Sequence, residues 1–505
     1  MSSSTFAPQS VSGPHPALRP ATEQPEEVVL DVTGTIPSEL RGTLYRNGPA
    51  RWEAGGFIAQ HAFDGDGMVS KFVIDRAEAR FQSRYVRTPK FKAEQAGKGA
   101  RVRGMGNQRP GGLLGNAGRL PADSANTHAV VHGERLLALS DAGRPWELDL
   151  DDLTTRGECT FNGALPRVSR FSPHPRLDPF SGEMFNFGLD AAPRLRVKLP
   201  IGLRCYRFDK SGRLHVDATI PLDHAYVQHD FALTEHYYVF VLVPIILNPL
   251  QVMLGQRTAE SATSYRADVG TKIVIVPRGG GKQRHVDCPP LVYVHINNAF
   301  EDRGDIVVDL TRYDDHREFF DPVRDFRNAI GVVGGFASRL RVGAANRVTV
   351  EDVSEQRTEL PQHDWRRSTR PYRYGYHTVL TTDPTVAPRI VKVDIDTGRH
   401  DEHTFATGDI AGEPIFVPRS ATAAEDDGWL LTVVYLATER RCALVILDAR
   451  HPEKPPIAVA RTDRDFFPGF HGSFTTRIGR AHPWSEFGGC TDGHQTTSIS
   501  TPRVT

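Results

Sequence analysis

Cysteine is scarce in this chain of 505 residues. There are five, Cys159, Cys205, Cys288, Cys442 and Cys490, odd in number and far apart, and no CxxC pair occurs. A disulfide framework and a thiolate metal site are therefore excluded, and a reducing compartment fits. Net charge is missing as well: 61 basic side chains balance 61 acidic ones, with no block of one sign. A nucleic-acid binder would show an excess of Lys and Arg, so that class is set aside. Long apolar runs are also lacking. The longest, Val239–Leu247 (VFVLVPIIL), contains Pro244 and is too short to span a bilayer. At the start, MSSSTFAPQSVSGPHPALRP has no basic segment leading into an apolar one. Residues 1–27 read as a disordered lead-in rather than a signal peptide, and the expected location is cytoplasmic. Helical periodicity is weak, with Gln251–Ser261 and Asp321–Ala329 the best stretches for short helices.

What the chain has is strand chemistry. Runs of β-branched and aromatic residues recur, as in GTLYRNGP, TKIVIVPRGGGKQ and GWLLTVVYLATERRCALVILDA, with Gly and Asp-Gly punctuation between them. That pattern makes hairpins. No low-complexity linker divides residues 28–505, so one all-β domain of many four-stranded units is expected. A β-propeller is the economical architecture, because radial repetition leaves only short edges. No WD-type sequence period is visible, so the repeat is structural.

Polar groups inside apolar strands carry the functional signal, since each needs a partner there. In LVYVHINNAFEDRGDIVVDL (291–310), His295 interrupts a strand, and Asn298, Glu301, Asp302 and Gly304 read as the turn before the next one. His174 lies in FSPHPRLDPFSGEMFNFG, His229 heads an apolar strand in VQHDFALTEHYYVFV, and His471 lies in FFPGFHGSF. Their separations of 55, 66 and 176 residues suit donation from different blades toward one axis. Taken singly, each reads as well as a core histidine bonded to a backbone carbonyl. His285-Val-Asp287 has the form of half a facial triad but reads as surface sequence. Asp64–Gly67 (DGDG) reads as a tight turn, because Met68 and Val69 stand where a calcium loop needs other residues.

The chain resembles the carotenoid cleavage oxygenase family, most nearly its bacterial apocarotenoid oxygenases. The matching stretches run in the family's order: RGTLYRNGPA, HAFDGDGM, ANTHAVVHGERLLAL, HPRLDPFSGEMFNFG, HDFALTE, HINNAFED, GEPIFVPR and GFHGSF. The resemblance implies a seven-bladed propeller with iron on its axis and a cap of loops and short helices on one face. It implies that His174, His229, His295 and His471 bind one Fe(II) per chain, with O2 as co-substrate. Cleavage of a conjugated double bond then gives two carbonyl products, retinal among the candidates. Relatives back their histidines with three glutamates, matched here by Glu359, Glu413 and Asp141. Aspartate is one methylene shorter, so Asp141 is expected to reach its histidine only through a water or a shifted strand.

In the apocarotenoid enzymes a nonpolar patch beside a tunnel mouth corresponds to Leu247, Pro249, Leu250, Val252, Met253 and Leu254. Such a lip implies an apolar polyene substrate and peripheral membrane contact. The rival is the stilbene-cleaving branch, which anchors a phenol with a Lys and a Tyr. Ser140 stands in the Lys place, and Arg101–Gly112 holds no Tyr. A propeller that binds an apolar ligand without catalysis is the alternative from another class. No protein partner is implied.

Overall fold

Strands buried on both faces and strands exposed on one alternate along the chain, and that alternation builds blades. The computed structural model describes residues 15–478 apart from 142, 168, 192–200, 328–331 and 381–384. The first blade contains His128–His132, Arg135–Leu139, Trp146–Leu148 and Thr155–Glu158. The second contains Arg176–Asp178, Glu183–Ala191, Ile201–Phe208 and Leu214–Leu222. Ala232–Leu233, Tyr237–Leu242, Thr271–Pro277 and Arg284–Cys288 make the third. The fourth runs from Val292–Asp302 through Asp305–Tyr313 and Gly335–Val342 into the long strand Val348–His363. That strand then serves as the inner strand of the fifth blade, followed by Tyr374–Val379, Arg389–Asp394 and His400–Thr404. The sixth is Ile415–Pro418, Gly428–Leu436, Arg441–Asp448 and Ala458–Arg461. In the seventh, Gly42–Arg51, Asp66–Asp75, Glu78–Tyr85 and Gln24–Val29 pair in turn.

Burial follows position in the blade. Val292–Asp302 and Gly42–Arg51 are buried along almost their whole length, because neighbouring blades cover both faces. The outer strands Gln24–Val29 and His400–Thr404 are mostly exposed and rich in charge, which discourages pairing with other chains. Apolar clusters between blades supply the core, as where Phe185 and Phe187 meet Phe231, Tyr238 and Phe240.

Two chain-distant pairings close the ring. Asp31–Gly34 adds to the sixth blade beside Ala458–Arg461, and His471–Thr475 pairs with Gly42–Arg51. Gly472 permits the second closure, since a Cβ there would sit 2.1 Å from the Tyr45 carbonyl oxygen. Residues 15–27, expected in the lead-in, instead form the turn Pro16–Leu18 and begin the strand Gln24–Val29. Pairing with Glu78–Tyr85 orders them, a long-range partner that local composition does not reveal. The rest of the expected lead-in lies outside the described residues.

Four short helices, Pro89–Gln95, Gly112–Asn116, Pro249–Met253 and Arg317–Arg324, occupy connections between strands among the described residues. Their connections touch. Gly118 N donates to Met253 O at 2.7 Å, Glu260 N donates to Met105 O at 3.1 Å, and Tyr265 stacks on His316. They form a continuous cap. The expected helices are shifted and shortened, to Pro249–Met253 and Arg317–Arg324. Pro249 sets the start of the first, and Asn248 caps it. Residues 328 and 329 of the second expectation lie outside the described residues.

Candidate metal centre

Inner strands bring together residues that the chain keeps far apart. His174 and His229 lie just ahead of Arg176–Asp178 and Ala232–Leu233, His295 is within Val292–Asp302, and His471 opens His471–Thr475. One nitrogen from each ring lies within 4.8 Å of the other three. The Nε2 atoms of His174 and His229 are 2.8 Å apart, and those of His229 and His295 are 3.3 Å apart.

The three carboxylates come from strands and connections other than those that carry the histidines. Asp141 follows the second strand of the first blade, Glu359 lies on the shared strand Val348–His363, and Glu413 precedes Ile415–Pro418. Asp141 meets His229 Nδ1 at 2.7 Å, Glu359 meets His295 Nδ1 at 2.5 Å, and Glu413 meets His471 Nδ1 at 2.9 Å. The shorter Asp141 thus makes a direct hydrogen bond, so of the two expected ways of reaching the ring no bridging water is needed. Among the described residues no carboxylate lies within ion-pair distance of His174.

A carboxylate only accepts, so Nδ1 of each of these three rings carries the hydrogen and Nε2 presents a lone pair. Three lone pairs turned on one small volume repel one another unless a cation stands among them. Four neutral nitrogen donors suit a divalent transition metal such as ferrous iron. Electrostatics favours the neutral ring at His174 and His471. Burial and the neighbouring rings push His174 well below the ordinary imidazole range, and burial brings His471 down to about 4. Burial also opposes charge on His229, but Asp141 overrides it and raises that ring.

Each acid has a different backing. Glu413 accepts from Arg46 Nη1 at 2.6 Å, Gln362 Nε2 at 2.8 Å and Gly472 N at 3.1 Å. Burial works to raise its pKa, yet His471 and Arg46 together hold it down to about 2. Glu359 accepts from the Tyr313 hydroxyl and from Leu360 N, each at 2.7 Å. It is a buried strand residue beside Leu360, whose φ of +53° marks a strained bend before Pro361. Asp230 ties three histidine neighbourhoods together. Its oxygens accept from Arg176 Nη2 at 2.6 Å and from Ile296 N at 2.8 Å, next to His295.

Arg46, Tyr313, Gln362 and Asp230 were not singled out in the sequence. A signal existed for Arg46: a guanidinium in the apolar strand GTLYRNGP has to meet a buried acid. Conversely, Asn298, Glu301 and Asp302 are strand residues, and the turn is Arg303–Gly304. Asn298 holds the carbonyls of Arg367 and Arg370, and Glu301 accepts from Thr234 Oγ1. Asp64 and Asp66 of the DGDG stretch serve separate partners, Met105 N and Gly106 N for one, Lys90 and Arg51 for the other. His285 and Asp287 are exposed on an outer strand.

Phe470, next to His471 in the chain, begins a series of ring contacts through Phe467 to Trp52 and Phe326, and it also contacts Phe63. In the cap, Leu250, Met253 and Leu254 are exposed, while Leu247 and Pro249 are half-buried. Val252 is a correction to the expected lip: it is buried and packs into the core. The structure adds Leu113, Leu114 and Leu120, all exposed. Buried Arg103 clamps the two segments by donating to Asn116 O and Val252 O at 3.0 Å and to Arg257 O at 2.7 Å. No described helix is long and apolar enough to cross a membrane.

Comparison with known proteins places this architecture. The apocarotenoid-15,15'-oxygenase of Synechocystis sp. is 35% identical over 474 residues, covering 91% of this chain and 96% of the relative. Lignostilbene-alpha,beta-dioxygenase isozyme III of Sphingomonas paucimobilis is 29% identical, covering 92% and 96%. The crystal structure of a cobalt-substituted Synechocystis apocarotenoid oxygenase superposes with a TM-score of 0.81 at 34% identity, covering 91% of this chain and 98% of that one. The family model for retinal pigment epithelial membrane protein matches residues 18–476, so this seven-bladed enzyme belongs to that family of carotenoid cleavage oxygenases.

Proposed function

We propose that His174, His229, His295 and His471 hold one Fe(II), and that the protein cleaves a conjugated double bond of an apocarotenoid with O2 to two carbonyl products. The convergence of three lone-pair nitrogens, each fixed by a carboxylate at its other nitrogen, carries this reading. Bound ferrous iron would let triplet O2 react with a closed-shell alkene, while the alkene itself supplies the electrons and one O2 supplies both carbonyl oxygens. The chain's own groups do the rest. Asp141, Glu359 and Glu413 keep the Nδ1 protons in place, which fixes ring orientation and ligand basicity. The rings of Phe63 and Phe467, both in contact with Phe470 next to His471 in the chain, offer with it an apolar surface that suits a polyene.

A phenolic stilbene is disfavoured. Ser140 offers no cation, and its hydroxyl already donates to Asp123 at 2.7 Å. A phenolate left without partners is desolvated at a cost. Iron-loaded protein incubated with apocarotenals, intact carotenoids and hydroxystilbenes is expected to release aldehydes from the apocarotenals, read by mass. Cleavage of hydroxystilbene alone would overturn the substrate class. Retention of apocarotenals by iron-loaded protein without aldehyde formation would favour the non-catalytic binder.

The exposed apolar platform supports peripheral membrane contact for collecting a lipid-dissolved substrate. Burying a leucine contributes about 1.5–3 kcal/mol, roughly tenfold or more in affinity per residue. Leu114→Glu and Leu250→Glu are each expected to weaken co-sedimentation with phosphatidylcholine vesicles about tenfold. Unchanged vesicle binding in both variants would remove the platform from this role.

A further inference from the structure

Asp141 makes its direct contact with His229 although its side chain is short, so the turn that carries it must stand close to the metal centre. Asp141 stands in the turn between Ser140 and Gly143, which are joined by a hydrogen bond from Gly143 N to Ser140 O at 3.2 Å. The carboxylate of Asp123 fills the hollow of this turn. Its Oδ1 accepts from Ser140 Oγ at 2.7 Å and from Ala125 N at 2.9 Å. Its Oδ2 accepts from Arg144 N at 2.9 Å and from Trp146 Nε1 at 3.0 Å. Both ends of the turn are therefore held by one acid. The fit is close: a Cβ on Gly143 would lie 2.4 and 2.5 Å from the two Asp123 oxygens and 2.3 Å from Ser140 Oγ.

The segment bearing Asp123 is itself fastened to the strand that opens with His471 and to its neighbour Gly42–Arg51. Asn47 Nδ2 donates to Ala125 O at 2.9 Å, and His471 N donates to Thr127 O at 3.1 Å. Ala125 adopts a φ of +47°, a strained conformation held by these bonds and by Asp123. Asp123 thus measures the position of the Asp141 turn from the strand that carries His471. We infer that Asp123 is a positioning residue for the metal centre: it sets the Asp141 turn so that an aspartate reaches His229 directly. This role rests on the reading of His229 as a metal ligand. Asp123 itself touches neither the histidine cluster nor the approach to it.

A double-mutant cycle on the full chain tests this, with Co2+ as the probe and its visible absorption as the readout alongside kcat and KM of the iron-loaded forms. Losing a partner behind a ligand weakens metal binding roughly 10- to 100-fold. Asp123→Ala is expected to weaken Co2+ binding about tenfold and to shift the absorption band as Asp141→Ala does. In the Asp141→Ala background the same change is expected to add no more than about twofold, because its effect passes through Asp141. Equal weakening in both backgrounds would mean a general structural role and overturn the inference, as would undiminished binding by Asp123→Ala. Should Asp123→Ala not fold, Ser140→Ala removes one of the four donors and enters the same cycle, with an expected loss of about threefold. Native protein that binds no stoichiometric Co2+ overturns the metal reading and this role with it. Native binding with an indifferent Asp123→Ala overturns this role alone.

Discussion

His295→Ala is expected to leave a folded protein with almost no metal and no measurable cleavage. The ring's Nε2 stands 3.3 Å from that of His229, and its removal opens the nitrogen cluster. It also strands Glu359, which is fully buried and keeps only the Tyr313 hydroxyl and Leu360 N as donors. Partners one bond beyond a ligand already contribute 10- to 100-fold to affinity, so loss of the ligand itself should exceed roughly 100-fold. Iron content should fall from near one per chain to below about a tenth at equal loading, a loss of affinity read on that scale. The β-sheet circular dichroism should be unchanged, because His295 sits among groups that hold it from neighbouring blades. Native-like iron content in this variant would exclude His295 from the metal site.

The largest effect on stability is expected from Glu413→Gln. Arg46 and Glu413 are paired at 2.6 Å, with each side chain only 2% exposed. Arg46 Nη2 also holds the Phe470 carbonyl at 2.9 Å, so the guanidinium cannot swing out to water without breaking the segment next to His471. Removing one charge of a buried pair leaves the other uncompensated, and the cost is about 3–5 kcal/mol. Urea unfolding of metal-free protein separates this from metal loss. A change below about 1 kcal/mol would mean that water or another acid compensates Arg46. The pH dependence has a definite sign. Glu413 is held below its ordinary pKa when folded, so its contribution is complete above about pH 4.5 and is lost as pH falls toward about 2. Glu413→Gln should remove that acid-side loss together with the stability.

The fold class was legible because strand residues and turn residues alternate locally, and hairpin chemistry depends on neighbours a few positions apart. His295 was legible for a related reason, since an imidazole in an apolar strand conflicts with its surroundings, whereas the set of four emerged only from the motifs shared with the family. The pairing of acid with ring was not. Asp141 lies 88 residues from His229, and Glu413 lies 58 from His471. The strand Gln24–Val29 was missed because its order comes from a partner more than fifty residues away. Val252 left the expected lip for the core, and exposed Leu114 was not foreseen, for the same reason, since each apolar side chain's exposure depends on which segment lies against it.

By itself, then, the sequence determined an all-β propeller with buried histidines, because strand propensity and the misfit of a polar group are local properties. The tertiary structure alone decided which acid holds which ring, that Arg46 neutralises Glu413, and that Asp141 is long enough. A side chain's reach is the distance left over after the backbone is placed, and at Asp141 that placement is set by Asp123, which holds Ser140 and Arg144 on either side of it.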